Sequence, residues 1–269
     1  MGLLERIGGV FHNKKAAEFQ NGASKPFFGE GFNANALNSH NLVQDSFVQS
    51  PDKKFATQSP SSEQTLALTQ PVRFIKKYVN QEIIQNAIAK NPEIKRILEE
   101  NGLKAEFNFE NVNSIIMSHL IPTSSTSQKL YCRMGHSKDE ISYLHLTQAA
   151  LLHDIGKGFI PDEILNKRGK LSPKERSIIE LHNLLSYEIL KTTDLSPRVA
   201  QLAFEHHDYD KKVKRNHENQ ALTISDIYCA LKEDRPYKKP LSDIYAKTIL
   251  YDMGTKGSFD TKYLAHLSA

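Results

Sequence analysis

The sequence predicts an all-α helical bundle that follows a disordered N-terminal tail and a short helical N-terminal extension. Three observations carry that expectation. From Leu66 onward apolar residues recur at steps of three and four, the period of a helix face. Serines and prolines with helix-opening chemistry stand in front of several of those stretches. Nowhere after residue 109 does a convincing two-residue alternation of the strand type appear. Residues 1–63 are read as a tether, 64–108 as the extension and 109–269 as the main domain.

Each part has its own grounds. Asn13 to Gln64 is rich in Asn, Ser, Gln, Lys and Gly without sustained period, and such a segment buries too little apolar surface to offset its ordering entropy. Its scattered Phe19, Phe27, Phe28, Phe32, Phe47 and Phe55 are read first as incidental residues of a tail and second as docking points for a protein partner. The narrow stripe of Leu3, Leu4, Ile7 and Val10, on a helix too short to be stable alone, is a further candidate docking point. Val72, Ile75, Val79, Ile83 and Ile84 begin the helical spacing, and Ile94, Ile97 and Leu98 continue it to a C-cap at Asn101-Gly102. Ser137 to Glu140 reads as a capping box that opens a helix with Ile141, Leu144, Leu151 and Leu152, closing near Gly156. Ser172 to Glu175 repeats the device, with Pro173 at the first helical position, and introduces Ile178, Ile179, Leu181, Leu185, Ile189 and Leu190. Ser196-Pro197 opens a helix with Val199, Leu202 and Ala203. Helices from about Leu222 to Glu233 and Ser242 to Tyr251 complete a bundle with short connections.

Composition narrows the setting. The 269 residues allow one sizeable domain plus an extension, and 39% hydrophobic with 25% charged residues suits a soluble globular protein. No apolar run approaches the ~18 residues of a membrane span. The first ten residues lack a secretory signal's apolar centre, and no Ser or Thr stands where myristoylation needs one. Two cysteines, Cys132 and Cys229, without a partner pattern argue against a disulfide framework and a thiolate zinc site, and the expected location is the cytoplasm. A net charge of +4 suits an anionic substrate but equally a protein that merely stays soluble. No aromatic–basic interleaving points to nucleic acid.

The chemistry lies in the histidines, of which there are 11. A lone histidine on an apolar helix face is ordinarily a hydrogen-bonded core residue, and His12, His40, His136, His145, His217 and His266 are read as loop or solvent-face residues. The remaining five are arranged otherwise. His119 follows Ile115 and Ile116. His153-Asp154 ends an apolar helix. His182 shares the inward stripe of Ile178, Leu185 and Ile189, and His206-His207 ends the helix of Val199 and Leu202. Asp226 interrupts the apolar run of Leu222, Ala230 and Leu231. So many ionisable groups on core-facing stripes would be costly unless something neutralised them. Imidazole with carboxylate suits iron or manganese, with zinc, nickel and magnesium as further candidates. Two such ions a few Å apart can activate a water and clamp a phosphodiester for in-line attack.

Here the sequence resembles a known family. Leu151 to Lys157 (LLHDIGK) is similar to the signature of the HD superfamily of metal-dependent phosphohydrolases. Ile160 to Lys167 (IPDEILNK), Gly169 to Ser172, Glu205 to His207 and Ile224 to Tyr237 (ISDIYCALKEDRPY) resemble the HD-GYP cyclic di-GMP phosphodiesterases, in the same order and spacing. The resemblance runs from about Val112 to Leu267. It implies an HD-domain bundle with two divalent ions: His119, His153, Asp154 and Asp226 on one, and His182, His206 and His207 on the other, with Asp154 bridging. It also implies that Asp154 and Lys157 are catalytic, Lys157 contacting the scissile phosphate, and that Arg235 and Lys238 bind the dinucleotide's phosphates, the guanidinium in a bidentate way a lysine could not reproduce.

Two departures qualify the likeness. After His207 the chain reads Asp208 to His217 (DYDKKVKRNH), so the family's Gly-Tyr-Pro triplet is absent and the loop becomes a second candidate contact for a protein partner. Some family members also hold a third ion with a glutamate one turn before the first histidine, where this chain has Ile115, so two ions are expected. The leading expectation is hydrolysis of cyclic di-GMP or a related cyclic dinucleotide. The alternatives are a catalytically weak receptor for the dinucleotide and an HD hydrolase of another nucleotide.

Overall fold

Helix-opening residues set most of the element boundaries. The computed structural model describes residues 62–208, 216–234 and 239–267. The expectations for the tail up to residue 61, for Arg235 and Lys238, and for most of the altered loop lie outside the described residues. Helices α1 (Ser62–Thr69), α2 (Pro71–Tyr78), α3 (Gln81–Lys90) and α4 (Pro92–Glu100) form the extension. Prolines start α2 and α4, where a missing N–H costs nothing, and the Asn80 and Asn91 side chains cap α3 and α4 by accepting from the amides of Ile83 and Glu93. Gly102, at φ 69, stands just beyond the Asn101 cap as expected. Phe74, Ile75, Ile84, Ala87, Ile94 and Leu98 are all essentially buried. They pack the extension onto the two helices that matter most for the site, α7 and α9.

The rest of the bundle is α5 (Phe109–Asn113), α6 (Ile121–Arg133), α7 (Ile141–Leu152), α8 (Asp162–Leu165), α9 (Pro173–Leu190), α10 (Pro197–Glu205), α11 (His217–Lys232) and α12 (Asp243–Thr255). A π-helical turn covers Ile116–Leu120, and 3-10 turns cover Ile155–Phe159 and Thr261–His266. No strand occurs among the described residues. Two helices form the centre. In α7, nine residues from Tyr143 to Leu152 are buried, and α11 is buried without interruption from Asn219 to Leu231. Helices apolar on all faces belong inside a bundle. α6, α10 and α12 surround them, and α9 packs on α10 and on the first 3-10 turn.

Three boundaries differ from the sequence reading. α7 begins at Ile141 and closes at Leu152, before Gly156. Ser137 is not its N-cap: its hydroxyl accepts from the amide of Asp139, only two residues on, while its own amide donates to Glu140. That local turn competes with the helix for the same groups, and Glu140 is also engaged by His136, so the box closes one turn early. α11 begins at His217, with Asn216 capping Asn219, because a polar first turn (His-Glu-Asn-Gln) hides its start. α12 runs on to Thr255. The capping box at Ser172 and Glu175 and the serine cap at Ser196 are as expected.

Candidate metal centre

Five chain segments deliver the predicted residues to one place, each by a local device. His119 lies in the π turn, where the amides of both His119 and Leu120 bond to the carbonyl of Ile115. Pro122 follows and has no N–H to offer Ser118, so an ordinary α-helical ladder cannot run through this point. His153 and Asp154 sit where α7 ends, before the 3-10 turn that carries Lys157. Asn111 of α5 ties that turn down, its amide donating to the carbonyls of Lys157 (3.3 Å) and Ile160 (2.8 Å). Gly156 brings the turn against α9, its amide donating to Ser186 Oγ at 2.9 Å. His182 projects from the middle of α9, His206 and His207 follow the end of α10, and Asp226 projects from α11.

The donor atoms converge. Asp226 Oδ1 is 3.0 Å from His119 Nε2 and 3.5 Å from His153 Nε2. Asp154 Oδ2 is 3.4 Å from His119 Nε2 and 3.3 Å from His153 Nε2, while its other oxygen lies 3.2 Å from His182 Nε2. His182 Nε2 and His206 Nε2 are 3.4 Å apart, and His207 Nε2 lies 3.7 Å from Asp226 Oδ2. Two groups result, His119–His153–Asp226 and His182–His206–His207, joined by a third, His153–Asp154–His206, with Asp154 facing both sides. Lys157 Nζ reaches Asp154 Oδ2 at 2.5 Å.

Nearly all of this is buried: His119, His153, Asp154, His182, His206 and Asp226 expose 3% or less, and only His207 is half-buried. Burial alone would raise the Asp154 and Asp226 carboxyls. Lys157 and His153 hold Asp154 well below the ordinary range, and His119 and His153 do the same for Asp226. Burial lowers His153, yet the two carboxylates outweigh it and carry its pKa up to about 10. Burial drives His206 well below its usual value and His207 to about 3, with neighbouring imidazoles adding to the effect in both.

The atoms left without hydrogen bonds test whether a metal fits. Nε2 of His119 and His153, Oδ1 of Asp154 and Oδ2 of Asp226 are buried and have no hydrogen-bond partner. Unpartnered buried nitrogens and carboxylate oxygens aimed at one another are costly unless a cation neutralises them. The residues present therefore fit divalent ions held by imidazole and carboxylate. The sequence reading missed Glu233, a buried carboxylate whose Oε2 is 3.8 Å from His119 Nδ1. Its seven-residue spacing from Asp226 was the available signal. His136 lies in a loop and His217 on an exposed first turn, as read; His136 also stacks on Tyr131 with 4.1 Å between ring centroids, and its Nε2 meets His217 Nδ1 at 2.5 Å.

A family model described as the HD domain matches residues 110–263. The chain is 34% identical over 119 residues to a cyclic di-GMP phosphodiesterase of Thermotoga maritima, a stretch covering 40% of this chain and 32% of that protein. It is 31% identical over 130 residues to a cyclic di-GMP phosphodiesterase response regulator of Xanthomonas campestris, covering 44% and 34%. To a 3'3'-cGAMP-specific phosphodiesterase of Vibrio cholerae it is 32% identical over 128 residues, covering 42% and 24%. The chain thus spans about a quarter to a third of the length of these relatives. No described helix is long and apolar enough to cross a membrane.

Proposed function

Because the chain belongs to the HD-domain family, matching its model over more than half its length, we propose that it is a metal-dependent phosphodiesterase acting on cyclic di-GMP or a related cyclic dinucleotide. The observation that carries the reading is the convergence of buried, unpartnered imidazole and carboxylate atoms on the two oxygens of Asp154. The names of the relatives support the substrate class. His119, His153, Asp154 and Asp226 would hold one divalent ion, and His182, His206 and His207 the other, with Asp154 shared. Iron or manganese suits that donor set best. When bound, the ions would supply Lewis acidity and lower the pKa of a water, so that it gives up a proton and becomes nucleophilic towards phosphorus.

The chain's own residues do the rest. Asp154 and Asp226, held anionic by their neighbours, keep negative charge in the centre at every physiological pH. His206 and His207, neutral because they are buried among other imidazoles, present lone pairs. Lys157 brings a cation to the rim of the centre beside Asp154 and would move onto a phosphate oxygen of the substrate, where its charge opposes the developing anion. Arg235 and Lys238 would take the flanking phosphates, and the tail or the altered loop after His207 would serve a protein partner. The expected products are the linear dinucleotide and, on further cleavage, mononucleotide.

The test is turnover by manganese-loaded and iron-loaded protein against cyclic di-GMP, 3'3'-cGAMP and linear dinucleotides, with bound metal counted by elemental analysis. The expected result is about two ions per chain and cleavage of a cyclic dinucleotide. Metal-replete protein that binds the dinucleotide without cleaving it would make the chain a receptor instead, and cleavage of only other nucleotides would change the substrate.

A further inference from the structure

We propose that Glu233 is a positioning residue that fixes the tautomer and orientation of His119, doing for this histidine what a backbone carbonyl does for the others; the proposal rests on the metal-centre reading above. His153, His182 and His206 share one device. Their Nδ1 atoms lie 3.0, 2.6 and 2.6 Å from the carbonyls of Ala150, Ile179 and Ala203, each three residues earlier. A carbonyl can only accept, so each Nδ1 carries a proton, which leaves Nε2 as the nitrogen a neutral ring would turn towards a metal.

His119 lacks that contact. Its π turn gives the Ile115 carbonyl to two backbone amides, and its buried Nδ1 has no hydrogen-bond partner. The group facing this nitrogen is the Glu233 carboxylate, with Oε2 at 3.8 Å. The other oxygen, Oε1, accepts from Ser118 Oγ at 2.8 Å, which tethers the carboxylate to the residue next to His119. Glu233 is buried, with 6% of its side chain exposed. It follows Asp226 by seven residues, two helical turns, so both carboxylates reach the same imidazole from one face of α11 and its cap. Asp226 takes the Nε2 side and Glu233 the Nδ1 side.

A hydrogen bond between them needs about 2.9 Å, roughly 1 Å of closure, within reach of side-chain rotation. An anionic acceptor at Nδ1 holds a proton there, so that with a cation among the Asp154 and Asp226 oxygens Nε2 is left bare and becomes a stronger donor to it. Losing such a partner typically lowers metal affinity about 10–100-fold.

The experiment uses Glu233→Leu, which removes the acceptor, Glu233→Gln, which keeps the shape without charge, and Glu233→Asp, which keeps a carboxylate on a shorter arm. Two readouts are taken on the full chain: manganese(II) affinity by titration, and the ring tautomer of His119 by long-range proton–nitrogen correlation in metal-free protein. Glu233→Leu is expected to weaken manganese binding about 10–100-fold and to lose the Nδ1-protonated signature, Glu233→Gln to fall between, and Glu233→Asp to recover part of both. The proposal is overturned if the tautomer and the affinity stay within about twofold of the parent while only the melting temperature falls, as a purely structural tie to Ser118 would give. If Glu233→Leu does not fold, Glu233→Gln decides by the same two criteria. A parent protein that takes up no manganese would sink the metal-centre reading, whereas the tautomer in metal-free protein still decides the role of Glu233.

Discussion

Gly156→Ala adds one methyl group next to the candidate metal centre without replacing any proposed ligand. A Cβ built on Gly156 would lie 2.1 Å from the carbonyl oxygen of His182 and 2.7 Å from the amide nitrogen of Ser186, where ordinary contact begins near 3.4 Å. Both obstructing atoms are backbone of α9 and cannot rotate away. The 3-10 turn and α9 must therefore separate by about 1.3 Å, in an interior packed too densely to absorb it freely. Overpacking of this kind costs about 1–3 kcal/mol. Separation also threatens the bond from the Gly156 amide to the fully buried Ser186 hydroxyl, and a stranded buried donor costs about 1–3 kcal/mol more. The expected destabilisation is about 2–6 kcal/mol, a fall in Tm of roughly 4–24 °C for a domain of this size. The chemistry should suffer as well, because Asp154 lies two residues before Gly156 and its Oδ1 is 3.2 Å from His182 Nε2. Opening that gap uncouples the two halves of the centre. Thermal melting, elemental analysis and turnover should all fall together. Ser186→Ala, which removes the acceptor without adding the wedge, should lose stability but keep its metals. A Gly156→Ala protein that melts within about 2 °C of the parent and carries the parent's metal complement would refute the close-approach argument.

Other outcomes are equally concrete. Asp154→Ala should lose bound metal and at least ~10³-fold in turnover, since the carboxylate faces both histidine groups; near-normal turnover would end the shared-ligand assignment. Lys157→Met should keep its metals and lose turnover, and a parallel loss of metal would show that the ammonium stabilises the ligand set instead. Glu175 is held at about 2, first by the Lys167 ammonium and then by the Ser172 amide. A depressed carboxyl stabilises above its unfolded value of 4.5, and that contribution is lost as pH falls through about 2. Acid unfolding curves of parent and Glu175→Gln should therefore differ at neutral pH and converge near pH 2. Deleting residues 1–61 should leave metal content and turnover nearly unchanged, because His119, His153, Asp154, His182, His206, His207 and Asp226 lie in or beside helices that begin after that point; a loss above tenfold, roughly 1.4 kcal/mol of barrier, would place the tail in the active site.

Much of the centre was legible because its residues contradict their surroundings. His182 on the stripe of Ile178 and Leu185, or Asp226 between Leu222 and Leu231, makes no sense in a core without a counter-charge. The helices were legible where apolar spacing and a capping residue coincide, as at Ser172-Pro173. They were not where the first turn is polar, as at His217 of α11, or where a side chain is drawn to a competing partner, as Glu140 is to His136. The π turn at His119 has no periodic signature, and Pro122 alone does not announce it. Glu233 sits in a Lys-Glu-Asp-Arg run that reads as a solvated surface. Only the turn of α11 buries it. The meeting of His136 with His217 joins residues 81 apart, which no local pattern encodes.

The join between α10 and α11 has a consequence for what keeps the histidine pair in register. Thr223 Oγ1 donates to the carbonyl of His206 at 3.1 Å, and the Asn219 amide donates to Glu205 at 3.0 Å. These bonds rivet the two helices together behind the histidine pair, so His206 and His207 are anchored by contacts made directly between α10 and α11. A substitution at residues 209–215 removes neither bond, so this anchor of the pair does not depend on the lettering there.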